Sequence, residues 1–159
     1  MRSNISSFIV IAVIVALGVF LMLSGNGTSS ASKTQSVARL TVAPFFYDFG
    51  TIDIYNGTVT TTFLITNEGE EDVTIIGGTT TCGCTSAEID NVPFGMHEPM
   101  KRDVVILAGE TKNLTVIYDP LAHGPSGVGL AERTVFLKTN STVTPELEVR
   151  IRALVINNR

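Results

Sequence analysis

The stretch Leu147-Glu148-Val149-Arg150-Ile151-Arg152-Ala153-Leu154-Val155 decides the fold. Leu147, Val149, Ile151, Ala153 and Val155 alternate with Glu148, Arg150 and Arg152, and a period of two places the first set on one face of a strand and the charges on the other. One face is core and the other is wet. Val59 to Thr66 repeats the pattern, with Val59, Thr61, Phe63 and Ile65 on one side, until Asn67-Glu68-Gly69 supplies turn chemistry. Leu114 to Tyr118 ends at Asp119-Pro120, where proline cannot donate to a ladder, and Thr134 to Thr139 ends at Asn140. Arg39 to Val42, Phe46 to Phe49, Val73 to Ile76 and Thr85 to Ile89 are dense in Thr, Val, Ile and Phe between turn residues. Seven to eight short strands at this spacing predict an all-β chain that closes as a two-layer antiparallel sandwich.

The chain around these strands has 159 residues, enough for one ordinary domain and too few for a multidomain enzyme. With 15 acidic residues against 11 basic, no Trp and 3 Tyr, it offers neither a basic face to displace counterions from phosphates nor a platform for stacked bases. Nucleic acid is excluded as a partner. Ahead of the strands, Phe8 to Leu23 is an apolar run that extends back through two serines to Ile5. A helix of that length is ~28 Å long, which matches the ~30 Å hydrocarbon core. Arg2 lies before it and keeps the N-terminus in the cytoplasm by the positive-inside tendency. The expected organisation is an N-terminal transmembrane anchor over residues 1–23, a flexible Ser/Gly/Thr-rich linker over 24–36, and a β-sandwich domain over 37–159 that is extracytoplasmic. The competing reading of the leader is a cleaved signal peptide, with Ser29 and Ala31 as the small residues of a cleavage site. In the first reading the protein sits in the cell membrane as a single-pass chain, held there by its N-terminal helix.

An ordered series of short motifs runs through the soluble part: Phe49-Gly50-Thr51-Ile52, Phe63 with Asn67-Glu68-Gly69, Cys82-Gly83-Cys84-Thr85, Gly109-Glu110, Asp119-Pro120 and Thr139-Asn140. It resembles the bacterial domain-of-unknown-function 1573 family from about Val42 to Val155, and Cys-Gly-Cys-Thr is its most specific part. The resemblance implies an Ig-like sandwich of the cell envelope with no assigned reaction. Ala108 stands where that pattern usually has proline before Gly-Glu, and the stretch from Ser86 to Ala108 is longer than in compact members.

That longer stretch gathers soft and imidazole donors. Met96, His97 and Met100 fall in Gly95-Met96-His97-Glu98-Pro99-Met100, and His123 falls in Leu121-Ala122-His123-Gly124-Pro125. With Cys82 and Cys84 they make six donors that suit Cu(I) or Zn(II), because thiolate, thioether and imidazole favour those ions. Against that stand ordinary roles: methionines plug gaps at the end of a core, and a single histidine is more often a surface residue than a ligand. The cysteines have three readings, a reduced structural pair, a disulfide, or a ligand pair. Two residues apart on a regular strand, their Cα atoms stand ~6.5–7 Å from each other, at the outer limit for a disulfide, so bridging needs the bend that Gly83 permits.

Catalysis has little support. A cysteine nucleophile needs a histidine base, for which His97 and His123 are the candidates, but no glycine elbow, phosphate loop or metalloprotease helix is present. No enzyme and no resident cofactor are expected. Two function classes remain: a noncatalytic module that meets another envelope protein through a sheet edge or face, or a soft-metal or thiol-redox protein built on the Cys-Gly-Cys motif. The anchor expectation has a direct check. The full-length protein should stay in the membrane fraction through high-salt and carbonate washes, and protease added to spheroplasts should remove the domain. A soluble form lacking about the first thirty residues would refute the anchor.

Overall fold

The computed structural model describes residues 35–159, so the apolar run Phe8 to Leu23 and nearly all of the polar linker lie outside the described residues. Among the described residues no helix is long and apolar enough to cross a membrane. Ten strands follow in order: β1 Leu40–Ala43, β2 Phe46–Asp53, β3 Val59–Asn67, β4 Val73–Thr80, β5 Thr85–Ile89, β6 Val92–Gly95, β7 Val104–Ile106, β8 Thr111–Tyr118, β9 Gly129–Thr139 and β10 Glu146–Ile156. They form two five-stranded sheets with strand orders β1-β3-β8-β5-β6 and β2-β10-β9-β4-β7. The all-β, two-layer sandwich is what the alternation predicts, and its Ig-like character is what the resemblance implies.

The core lies between the sheets and is assembled from the inward phase of each strand. In β10, Val149, Ile151, Ala153 and Val155 are buried while Glu148 and Arg150 are exposed. In β3, Phe63 and Ile65 are fully buried. Register then joins these positions across the ladder: Phe63 pairs with Leu114, and Leu114 with Ile89, giving one continuous buried row. Phe94 completes the core from β6, and its ring lies where a Cβ on Gly78 would stand, 2.5 Å from that position. Gly78 is therefore glycine so that β4 can pass under a fully buried aromatic ring.

Four features differ from expectation. The eight segments read as strands are all present, but β6 and β7 are additional. Both lie in the stretch from Ser86 to Ala108, and β6 is joined to β5 by a two-residue turn in which Asp90 and Asn91 have φ of 51° and 57°. Asp and Asn tolerate the left-handed conformation that such a hairpin requires at both central positions. Secondly, the sandwich is not wholly antiparallel, because β2 runs parallel to β10. These strands come from opposite ends of the domain, so no tight hairpin has to join them and nothing forces them to be antiparallel. The pair contains a bulge in which Phe49 and Gly50 pass Ala153, with Gly50 at φ 67°, and this accounts for glycine in Phe-Gly-Thr-Ile. Beside the bulge the Arg152 guanidinium bonds the Asp48 carboxylate at 2.6 Å and holds its pKa below the ordinary value.

Thirdly, the Cys-Gly-Cys segment is a turn after β4 rather than part of a strand. Lastly, Asn67 does more than break a strand. It is fully buried; its Nδ2 donates to the carbonyls of Glu71 and Ile106 at 2.8 and 3.1 Å, and its Oδ1 accepts from the Gly69 amide. One side chain thus ties together the turns after β3 and β7. Ser36, the last residue of the polar segment, is also buried and bridges to Ser141.

Urea unfolding should rank substitutions by these environments. Phe63→Ala should cost roughly 3–5 kcal/mol, and Gly78→Ala roughly 1–3 kcal/mol through overpacking against Phe94. Asn67→Ala, which removes the donor from the buried Ile106 carbonyl and the part-buried Glu71 carbonyl, should cost about 2–4 kcal/mol. Arg150→Ala should stay within about 0.5 kcal/mol; a large loss there would contradict the register of β10.

Candidate functional site

Between Thr80 and Thr85 the chain leaves the second sheet and enters the first, since β4 belongs to one and β5 to the other. Backbone bonds hold both ends of this crossing. Thr81 donates its amide to the Thr134 carbonyl at 3.0 Å, extending the β4 to β9 ladder, and the Cys84 carbonyl accepts from the Asp119 amide at 2.9 Å, extending β5 to β8. Inside the crossing the Thr85 amide donates to the Cys82 carbonyl at 3.1 Å, and the Thr80 hydroxyl is shared between the carbonyls of Cys82 and Thr85. The turn brings the Cα atoms of Cys82 and Cys84 to 5.2 Å, inside the range for a disulfide, and the two cysteines are bonded to each other. Of the three readings of the pair, the disulfide is the one adopted.

The loop after β8 delivers His123 to this turn. Asp119 accepts the Leu121 amide on its Oδ1 and Gly124 closes onto the Leu121 carbonyl, which folds Leu121 to Gly124 back toward the sheet end. His123 Nε2 then lies 3.1 Å from Cys82 Sγ. From β9 comes a residue the sequence reading passed over: Arg133 Nε donates to Cys84 Sγ at 3.0 Å. Arg133 occupies the inward phase of β9, in step with Ala131, Val135 and Leu137, at the end where the core opens. Carrying the alternation two residues back from Val135 would have exposed it as a charge in a core position. Its guanidinium carbon stands 5.9 Å from the centre of the Tyr118 ring. Burial pushes the Tyr118 hydroxyl pKa up.

The six predicted donors divide. Ligand atoms of Cys82, Cys84 and His123 lie within 4.8 Å of one another. His97 is near but sits over the middle of the turn, its ring 3.3 Å from where a Cβ on Gly83 would be, so Gly83 leaves room for that imidazole as well as bending the chain. Met96 is 46% exposed, and Met100 packs against the margin of the core. While the sulfurs are bonded to each other they are poor ligands; after reduction the same three atoms become a Cys2His donor set. A cavity of about 460 Å³ is lined in part by Phe45, Phe46, Thr81, Arg133 and Arg150 and so borders the site at Thr81 and Arg133.

Residues 40–155 match the profile of a family described as Protein of unknown function (DUF1573). No curated protein shares significant sequence similarity with the chain. Among solved structures it is similar to a protein of unknown function from Porphyromonas gingivalis W83, at 16% identity and a TM-score of 0.60, over 79% of this chain and 51% of that one. The chain thus spans about half the length of that protein. It is similar also to the ASH / PapD-like domain 7 of human CEP192, at 10% identity and a TM-score of 0.51, over 79% of this chain and 92% of that one. At such identities the likeness is one of fold.

A disulfide that links residues two apart closes almost no loop. The chain-entropy relation gives it roughly 1.6 kcal/mol, against about 4.7 kcal/mol for a 100-residue loop. Reduction should therefore lower the unfolding free energy by no more than about 2 kcal/mol, measured by urea melts of oxidised and reduced protein. Unfolding on reduction would show the bond to be a structural staple.

Proposed function

The chain belongs to the DUF1573 family, and because that family is described only as of unknown function, we propose a function from the geometry of the Cys-Gly-Cys turn: a noncatalytic extracytoplasmic module whose Cys82–Cys84 pair cycles between disulfide and dithiol. The observation that carries this reading is a polar nitrogen against each sulfur, His123 Nε2 at 3.1 Å from Cys82 Sγ and Arg133 Nε donating to Cys84 Sγ at 3.0 Å. The Arg133 cation stabilises a thiolate at Cys84 and so favours the reduced form, as at known reactive cysteines. A bond that closes so short a loop, with a fixed cation already against one sulfur, is suited to exchange rather than to bracing.

The mutual closeness of Cys82, Cys84 and His123 supports a second state of the same site, in which the dithiol holds one soft ion, Cu(I) or Zn(II). Disulfide and metal-bound forms exclude each other, so metal loading would report redox state. Met96, His97 and Met100 border this site without being required ligands. The membrane anchor of the sequence reading would keep such a site in the oxidising envelope, where disulfides persist, and the natural partner is a thiol of another envelope protein.

Thiol counting together with metal titration tests this. The chain isolated in air should show no free thiol and bind no Cu(I). After phosphine reduction it should show two thiols and bind one Cu(I). Cys82→Ser and Cys84→Ser should abolish binding, and His123→Ala should weaken it by at least about tenfold. Two free thiols in the air-isolated chain would refute the redox reading; a reduced chain that binds no Cu(I) or Zn(II) would refute the metal-bound state.

A further inference from the structure

The two sulfurs have different surroundings. Cys84 is 3% exposed, and its Sγ lies against Arg133 Nε at 3.0 Å and the Thr85 hydroxyl at 3.7 Å. Cys82 is partly exposed, takes the Cys84 amide on its Sγ at 3.2 Å, and faces an exposed histidine. Arg133 is held in place from two other directions, by its Nη1 donating to the Glu132 carbonyl at 2.7 Å and by the Tyr118 ring. Among the described residues no carboxylate pairs with Arg133; the ion pairs there use Lys101, Lys112, Arg150 and Arg152. A guanidinium is always charged and has donors only, yet this one is directed at the neutral sulfur of a disulfide. Its electrostatic complement is the thiolate that exists at Cys84 only after the bond has opened.

From this asymmetry, and resting on the redox reading above, we propose that thiol exchange at this site has one direction of attack: an incoming thiolate bonds Cys82 Sγ, and Cys84 departs as the thiolate that Arg133 receives. In the first step the new S–S bond forms at Cys82, the Cys82–Cys84 bond breaks, and its electron pair stays on Cys84 Sγ. A second thiolate then attacks the sulfur of the incoming group in the mixed disulfide. That step releases Cys82 as a thiolate beside His123 and yields the oxidised disulfide of the two incoming thiols. Two electrons pass from two external thiols to the domain. Burial closes Cys84 to a polypeptide or peptide thiol, so the substrate class is an exposed thiol that approaches from the side of the His123 loop. Arg133 acts on the leaving sulfur, which both hastens the first step and stabilises the reduced form.

Glutathione is the probe, applied to the full chain. Brief exposure followed by iodoacetamide quenching and peptide mapping by mass spectrometry should place glutathione on Cys82 and the alkyl group on Cys84. Arg133→Gln should slow reduction by glutathione roughly tenfold and shift the equilibrium toward the disulfide by a similar factor, the loss expected for one charge-assisted hydrogen bond to the leaving group. Arg133→Lys should recover part of both, which a purely structural role for Arg133 would not predict. Glutathione found on Cys84, or an Arg133→Gln chain that is reduced at the unmutated rate, would overturn the assignment while leaving a reducible disulfide. A disulfide that resists both glutathione and dithiothreitol in the unmutated chain would instead overturn the redox reading beneath it. The mapping needs no variant and so is independent of how Arg133→Gln folds.

Discussion

The chain has to cross from one sheet to the other between β4 and β5, and only Thr81 to Cys84 are available to do it. Two packed sheets stand about 10 Å apart, so a crossing this short must run tightly across the end of the sandwich. Its ends are pinned to opposite layers, Thr81 on Thr134 and Cys84 on Asp119. Everything at the site follows from that constraint. The bend brings the two cysteines within bonding range, the bond to Asp119 starts the loop that carries His123, and the bond to Thr134 places the crossing next to Arg133 one residue earlier on β9. Glycine between the cysteines serves the bend and leaves room for the ring of His97.

The connections that resist unfolding are elsewhere. Asn67 links the turn after β3 to the end of β7 from a fully buried position. The hydroxyl of Ser141 reaches the Ala38 carbonyl, joining segments far apart in sequence. These are side chain to backbone bonds that satisfy buried polar groups, and those from Asn67 to Ile106 and from Ser141 to Ala38 constrain long stretches of chain. The disulfide constrains three residues. In the proposed redox reading, this division would leave the sulfurs available for exchange without putting the sandwich at risk, at a rim where Cys82 is partly exposed and Cys84 meets a fixed cation.

Strand identity was legible because alternation is a local property. Leu147 to Val155 and Val59 to Thr66 show their inward faces through spacing alone, and the structure buries Val149, Ile151, Ala153, Val155, Phe63 and Ile65 and half-buries Leu147, Val59 and Thr61 at the strand ends. The β5 to β6 hairpin was legible in principle from Asp90-Asn91, but Pro93 and the brevity of β6 masked it. The parallel pairing of β2 with β10 was not legible, because the alternation of a strand is the same whichever way its neighbour runs. The burial of Asn67 was hidden for another reason: asparagine before Glu-Gly reads as a turn, and its side chain is satisfied only once β7 is in place.

For the site, residue chemistry was present in the sequence and proximity was not. Cys82, Cys84, Met96, His97, Met100 and His123 could be singled out as the donors in the chain. Their types suit thiol exchange or soft-metal binding where they meet, and core-filling or surface roles where they do not. Which of them meet depends on which end of the sandwich each loop occupies, and that is set by strand order, a property of the whole fold. The sheets bring His123 to Cys82, set His97 over Gly83, send Met100 to the margin of the core, and add Arg133 from a strand separated from the cysteines by the whole of β5 to β8. The sequence by itself determined the strands, the inward faces and the set of reactive atoms, because these depend on neighbours in the chain. Only the tertiary structure decided which atoms share a site and which sulfur faces the cation, because those distances exist only after the two sheets have packed.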